Sequence, residues 1–256
     1  MCTLSVITGA NSYLLAMNRD EKIARGAGEQ AAIHELNGIR TIYPSEAAGG
    51  TWIAVNEYGV ALGLLNWNDV VRARPHGGTR SRGQIIPALG SASGMAELQA
   101  GLSVLALEGM MPFRLVGVVP AEKAIRIWRW DSVQLTFQDH GWRAGHWFSS
   151  SLSDREAESM RAIACRDAQH ELNAGSAPWL RRLHASHTGG PGPFSLCVHR
   201  EDVKTLSYSE VVVTQEIVQM GHFRGSPCSM GQIDPIAVER VDFASLPLRD
   251  ICDQVR

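Results

Sequence analysis

Apolar runs of two kinds organise the first third of the chain. Residues 2–9 (CTLSVITG) and 13–19 (YLLAMNR) each read as a strand, and Ala10-Asn11-Ser12 between them has turn composition, which predicts a first hairpin. Pairing of that hairpin brings the end of its second strand back beside the chain start, so Cys2 is expected next to Arg19 and Asp20 in space. A second group follows at 51–57 (TWIAVNE) and 60–66 (VALGLLN), turning at Tyr58-Gly59. The latter run is nearly all apolar, as in a strand covered on both faces. Ser81 opens a helical stretch (SRGQIIPALG) that Pro87 breaks or kinks, and residues 94–108 have amphipathic helical spacing.

Strands are predicted again at 113–119, 124–130 and 133–138. Residues 153–172 carry the apolar spacing and acidic start of a helix, with Asp154 or Ser153 as N-cap and Gly175 soon after its end. A shorter helix is expected at 176–187. The run His187-Thr188-Gly189-Gly190-Pro191-Gly192-Pro193 reads as a surface loop, followed by strands at 194–200 (FSLCVHR) and 203–213, then shorter strand signals at 216–220 and 236–242. Strand blocks alternate with helix blocks without a βαβα rhythm. The expectation is an α+β fold with antiparallel sheets and helices packed outside them.

Composition narrows this picture. The 256 residues show no Pro/Gly/Ser linker, so one domain over 1–256 is expected, and 45% hydrophobic residues suffice for a sizeable core. A formal net charge of -2 removes the electrostatic case for nucleic acid or an anionic membrane surface. The start lacks a signal-peptide pattern and no apolar run is long enough to span a bilayer. The cysteines are Cys2, Cys165, Cys197, Cys228 and Cys252, an odd number without CxxC spacing, which argues against a disulfide framework and a structural zinc site. A reducing, cytoplasmic setting follows as the expectation. Oligomeric state is not encoded in any pattern read here.

Candidate chemistry concentrates at the chain start. Removal of Met1 would leave Cys2 with a thiol and a free α-amine on one carbon, a nucleophile carrying its own base. An α-amine titrates near ~7.7–8, so a useful fraction is unprotonated at neutral pH. A guanidinium beside the sulfur favours the thiolate, and Arg19 is the candidate for that place.

Met1-Cys2-Thr3, Asn18-Arg19-Asp20-Glu21, Gly49-Gly50-Thr51-Trp52, Gly59 to Asn66 and Ser81-Arg82-Gly83 follow one another in an order that resembles the NRDE family, the transport and Golgi organisation proteins. The resemblance is dense over residues 1–83. It implies the N-terminal nucleophile hydrolase fold, a four-layer αββα sandwich, and a distant likeness to choloylglycine hydrolases and penicillin V acylases, which cleave linear amides. On that likeness Cys2 is the nucleophile, Asp20 orients its amine, Arg19 stabilises the thiolate or a substrate carboxylate, and Asn66 donates to the oxyanion. Ser150, within Phe148-Ser149-Ser150-Ser151, stands where relatives carry an Asn, and Arg200 is matched to their late Arg. Asn18, Trp52 and Trp67 are assigned to the substrate pocket, the two tryptophans being equally readable as core aromatics.

The remaining motifs are weaker. Glu21 reads as an ion-pair partner. Cys197 and His199 alternate faces on the expected strand, and His184 and His187 share a helix face without a completing carboxylate or cysteine, so no metal site is expected. No P-loop or dinucleotide fingerprint is present, and no resident cofactor is called for. Two functions stay open: an amidohydrolase acting on a small-molecule linear amide, and a non-catalytic carrier or chaperone, for which the resemblance implies haem or acyl-lipid and acyl-CoA handling.

Overall fold

The computed structural model describes residues 2–70 and 80–242; Met1 and Cys252 lie outside them. The chain opens with β1 (Cys2–Thr8) and β2 (Tyr13–Lys22), then β3 (Ala31–Leu36), β4 (Ile39–Pro44), β5 (Ile53–Asn56) and β6 (Ala61–Asn66). Two helices, α1 (Ile85–Leu89) and α2 (Met95–Val104), precede β7 (Phe113–Val119), β8 (Ala124–Trp130), β9 (Leu135–Asp139) and β10 (Gly145–Ser149). Then come α3 (Asp154–Ala168), α4 (Ala177–Ala185), β11 (Val203–Val213), β12 (Ile217–Phe223) and β13 (Ile236–Glu239).

The strands form two antiparallel sheets. One has six strands in the order β10-β1-β2-β11-β12-β13, the other seven in the order β3-β4-β5-β6-β7-β8-β9. Period-two alternation explains how they stack. In the first sheet Leu4, Val6, Leu15 and Met17 face inward and meet Ile53, Val55, Ala61 and Leu65 of the second in one buried cluster. Leu62 and Leu64, the alternate residues of β6, face the other way and pack under Ile86, Leu89, Leu98 and Leu102 of α1 and α2. Ala16 and Tyr208 on the first sheet's outer face are covered by Ala164, Cys165, Trp179 and Leu183 of α3 and α4. The result is the expected α+β sandwich, with helices on both outer faces. Among the described residues no helix is long and apolar enough to cross a membrane.

Several elements differ from expectation for identifiable reasons. Pro87 does not kink a long helix. It sits in the first turn of the five-residue α1, after a 3-10 turn at Arg82–Gln84, where its missing N–H costs little. The hairpin β3–β4 was not anticipated, although Asn37-Gly38 at its tip has the positive φ angles (52° and 80°) of a tight hairpin turn. Residues 194–200 are not a strand: beyond one bridge, His199 to Lys204, they form a loop. Ser195 Oγ lies 2.8 Å from the Gly192 carbonyl and 2.5 Å from the Cys197 carbonyl, so its single proton can serve either, a local bond that competes with a strand ladder.

The two sheets come into close contact at Gly63. A Cβ there would lie 2.1 Å from Leu4 Cδ1, so only glycine lets the leucine seat fully. Gly63→Ala is expected to lower stability by ~1–3 kcal/mol in urea unfolding, and by much less in a Leu4→Ala background, because the clash is then gone. An equal cost in both backgrounds would contradict this packing.

Candidate active site

The hairpin register sets the site. Cys2 lies opposite Arg19 on β2 and opposite Ser149 on β10, so the first residue of β1 is held on both sides. Residues directly opposite across antiparallel strands share a face, which puts Cys2 and Arg19 together toward the second sheet. Cys2 is 6% exposed and lines a cavity of about 660 Å³ whose walls include Arg19, Trp52, Asn66, Arg82 and Asp202. The cavity opens where β2 and β6 end, so the pocket is framed by strand termini and the turns beyond them.

Arg19 is buried and fully engaged. Its Nη2 donates to Glu46 Oε1 at 2.5 Å, its Nη1 to the Gly26 carbonyl at 3.0 Å, and its guanidinium carbon stands 4.5 Å from the Trp52 ring centroid. Cation–π contact and the Glu46 pair fix the plane of the guanidinium. Glu21 pairs with Arg25 at 2.8 Å, the ion-pair role expected of it. Trp52 is thus both a cavity wall and a member of the inter-sheet cluster.

Asp20 points to a different set of partners. Its Oδ1 accepts from Thr205 Oγ1 at 2.6 Å and its Oδ2 from Arg161 Nη2 at 3.3 Å, with the Arg161–Asp20 pair wholly inaccessible to solvent. Arg161 Nη1 also donates to Thr3 Oγ1 at 2.8 Å and to the Cys2 carbonyl at 3.3 Å. One buried guanidinium therefore ties the first two residues of β1 to the carboxylate of β2. Sequence reading missed Arg161, which lies among the buried positions of α3 (Asp154, Ala157, Arg161, Ala164, Cys165, Ala168) and is set apart from that helix's other arginines only by its burial. The backbone nitrogen of Cys2, the atom that becomes the α-amine on loss of Met1, donates to Ser149 Oγ at 2.9 Å.

The other expected residues divide. Asn66 lines the cavity with Cys2, at the end of β6. Ser150 is buried; its N–H donates to Asp154 Oδ1 at 2.6 Å and its Oγ accepts from Leu152 N at 3.3 Å, while its neighbour Ser151 lines the cavity. Arg200 ties two wall residues together, reaching Asp202 Oδ1 at 3.0 Å and Ser151 Oγ at 3.4 Å, without lining the cavity itself. Asn18 pairs with Thr3 in the register and so faces the helices. Its Nδ2 donates to the carbonyls of His184 and Leu196, and its Oδ1 meets His184 Nδ1 at 3.1 Å. Trp67 is half-buried beyond β6 and does not line the cavity either.

Electrostatics modulate the thiol. Burial pushes the Cys2 pKa above its ordinary value, the charges of Asp20 and Glu21 push it further, and Arg19 pulls it back. Burial likewise raises the Asp20 carboxyl, against the opposing pull of Arg161 and Thr205. Arg82, also overlooked, donates to the Pro112 carbonyl at 2.8 Å and has no carboxylate partner among the described residues. Burial lowers its pKa, and a Cys2 thiolate and Glu21 raise it. The site thus holds, in one cavity, a thiol and, in Arg82, a guanidinium with no carboxylate partner among the described residues.

Comparison with known proteins places this geometry. The sequence model of the Transport and Golgi organisation 2 family matches residues 1–140. No curated protein matches by sequence. Among solved structures, the C2A mutant of a conjugated bile acid hydrolase from Clostridium perfringens is similar over 92% of this chain and 92% of its own, at 12% identity and a TM-score of 0.56. Penicillin V acylase from Agrobacterium tumefaciens is similar over 96% of this chain and 87% of its own, at 11% identity and a TM-score of 0.53. The fold is that of the N-terminal nucleophile hydrolases.

The Arg161–Asp20 pair yields a stability test. Arg161→Met leaves a buried carboxylate without its cation and is expected to cost ~3–5 kcal/mol in chemical unfolding, most of it recovered in Asp20→Asn/Arg161→Met. A single variant within ~1 kcal/mol of the parent would contradict the bracing role assigned to Arg161.

Proposed function

We propose that this chain, which belongs to the Transport and Golgi organisation 2 family, is an N-terminal cysteine hydrolase of small-molecule linear amides. The observation that carries the reading is that Cys2, Arg19 and Asn66 line one cavity while the Cys2 nitrogen is held beside Ser149. With Met1 removed, that nitrogen is a free amine. Donating one proton to Ser149 Oγ leaves its lone pair for the thiol.

The reaction then follows from these groups. Cys2 Sγ attacks the amide carbonyl as its proton passes to the α-amine, which answers the raised thiol pKa by supplying the base at the moment of attack. The Asn66 side-chain NH2 donates to the oxyanion that forms. Collapse breaks the C–N bond, the α-ammonium returns its proton to the departing amine, and a thioester remains on Cys2. Water, deprotonated by the same amine, cleaves that thioester and restores the thiol. Asp20 and Arg161 position the first residue and do not exchange protons with substrate.

The cavity also suggests the substrate's charge. Arg19 is neutralised by Glu46, whereas Arg82 offers a guanidinium with no carboxylate partner among the described residues, which favours a substrate bearing a carboxylate. For haem carriage the cavity wall offers, among the described residues, Cys2 and Met111 as the sulfur ligands and no histidine, and the hydrolase reading is the better supported.

The test is turnover of a panel of N-acyl amino acids and neutral N-acyl amines. Cys2→Ala is expected to abolish hydrolysis, and Arg82→Gln to raise KM at least ~10-fold for the anionic substrates while leaving neutral ones within about twofold. Full amidase activity in Cys2→Ala would sink the mechanism. An equal loss on both substrate classes would remove the carboxylate role of Arg82.

A further inference from the structure

Away from the cavity, and beyond the residues matched by the family model, three chain segments converge on a cluster of a different chemistry. His187 follows the end of α4, Cys197 and His199 come from the loop before β11, and Cys228 sits on a 3-10 turn at Pro227–Ser229. One ligand-competent atom from each of the four lies within 4.8 Å of all the others. We propose that His187, Cys197, His199 and Cys228 bind one zinc ion as a closed Cys2His2 site.

The geometry supports a tetrahedral ion. Zn–S bonds of ~2.3 Å and Zn–N bonds of ~2.0–2.1 Å imply an S···N edge of ~3.5 Å in a tetrahedron. His199 Nε2 lies 3.5 Å from Cys197 Sγ and 3.4 Å from Cys228 Sγ, at that spacing from both sulfurs. The widest separation, 4.8 Å, needs to close by only ~1 Å to meet the remaining edges. His187 supplies an independent indication, because its Nε2 is buried without a hydrogen-bond partner among the described residues and its ring centroid is 4.9 Å from that of His199. Two thiols and two imidazoles are the donor set of zinc rather than of magnesium or calcium, and four protein ligands leave no open position for catalysis.

The geometry contradicts the premise that Cys197 and His199 point apart, since Cys197 Sγ and His199 Nε2 lie 3.5 Å from each other. That premise misjudged the strand itself, because residues two apart on a strand share a face. The stretch is a loop shaped by Ser195, and its freedom lets both side chains turn to one point. Spacing gave no warning, because the four ligands span 187 to 228 in no recognised zinc pattern.

The site would brace the active centre from behind. Val198, between two ligands, donates its N–H to Thr205 Oγ1 at 2.8 Å and accepts from Thr205 N at 3.0 Å. Ser226, two residues before Cys228, donates to the Thr205 carbonyl at 2.8 Å. Thr205 in turn holds Asp20. An ion that pins the loop to the turn therefore fixes both supports of the residue that positions Asp20.

The experiment is elemental analysis of the full chain, purified untagged under reductant from zinc-supplemented cells, with chromophoric chelator competition on the same samples. About one zinc per chain is expected, falling at least ~10-fold in Cys228→Ser and in His199→Ala but not in Cys165→Ser, whose thiol lies outside the cluster. Cobalt substitution gives a readout independent of activity: tetrahedral visible bands with thiolate charge transfer, both weakened in Cys228→Ser. Cys228 is exposed on its turn, so that variant tests binding without disturbing the core. Protein with reduced thiols that neither carries nor takes up zinc overturns the proposal, as does a Cys197–Cys228 disulfide that persists under reductant.

Discussion

The register of β1 is the constraint on which the site rests. Cys2 is the strand's first residue, paired with Arg19 on one side and Ser149 on the other. Because side chains alternate, a slip of one residue would turn the sulfur toward α3 and α4, carry Leu4 and Val6 out of the inter-sheet core, and bring Thr3 to the cavity. Core packing and the placement of Cys2 in the cavity are thus one decision. The apolar alternation that buries Leu4 against Gly63 also aims Cys2 into the pocket, so burial energy enforces the chemistry's geometry.

Polar groups finish what the register begins. Arg161 reaches from α3 through the outer face of the sheet to Thr3, the Cys2 carbonyl and Asp20, and Asn18 ties the same face to α4 through His184 and Leu196. These groups are buried and hydrogen-bonded, Arg161 through both terminal nitrogens though not through Nε, and in a low-dielectric interior such bonds rigidify the site. On the inner face Arg19 is clamped by Glu46 and Trp52. The division of labour is physical: odd and even positions of one strand send their side chains to opposite sides of the sheet, one side for bracing and one toward the cavity.

Much of this was legible in the chain. The strands at 113–119, 124–130 and 203–213 fall where alternation and β-branched runs place them, and hairpin pairing alone set Cys2 beside Arg19. The misses have local causes. Asn37-Gly38 announced the β3–β4 hairpin, whereas the apparent strand at 194–200 was undone by the side-chain bonds of Ser195, which no periodicity reports. The arginine that meets Cys2 and Asp20 is Arg161 rather than Arg200, and only packing of α3 on the sheet distinguishes them. Cavity walls such as Arg82 and Glu46 come from turns whose course the sequence does not dictate.

Everything proposed for this site turns on Cys2 being the mature N-terminal nucleophile. Intact-mass analysis of the purified protein, before and after incubation with one equivalent of an amine-directed reagent specific for N-terminal cysteine, such as a 2-cyanobenzothiazole, tests it most directly. The expected result is a chain lacking Met1 that forms a single thiazoline adduct at Cys2, with the other cysteines unlabelled. A chain that retains Met1 and gives no adduct would contradict it.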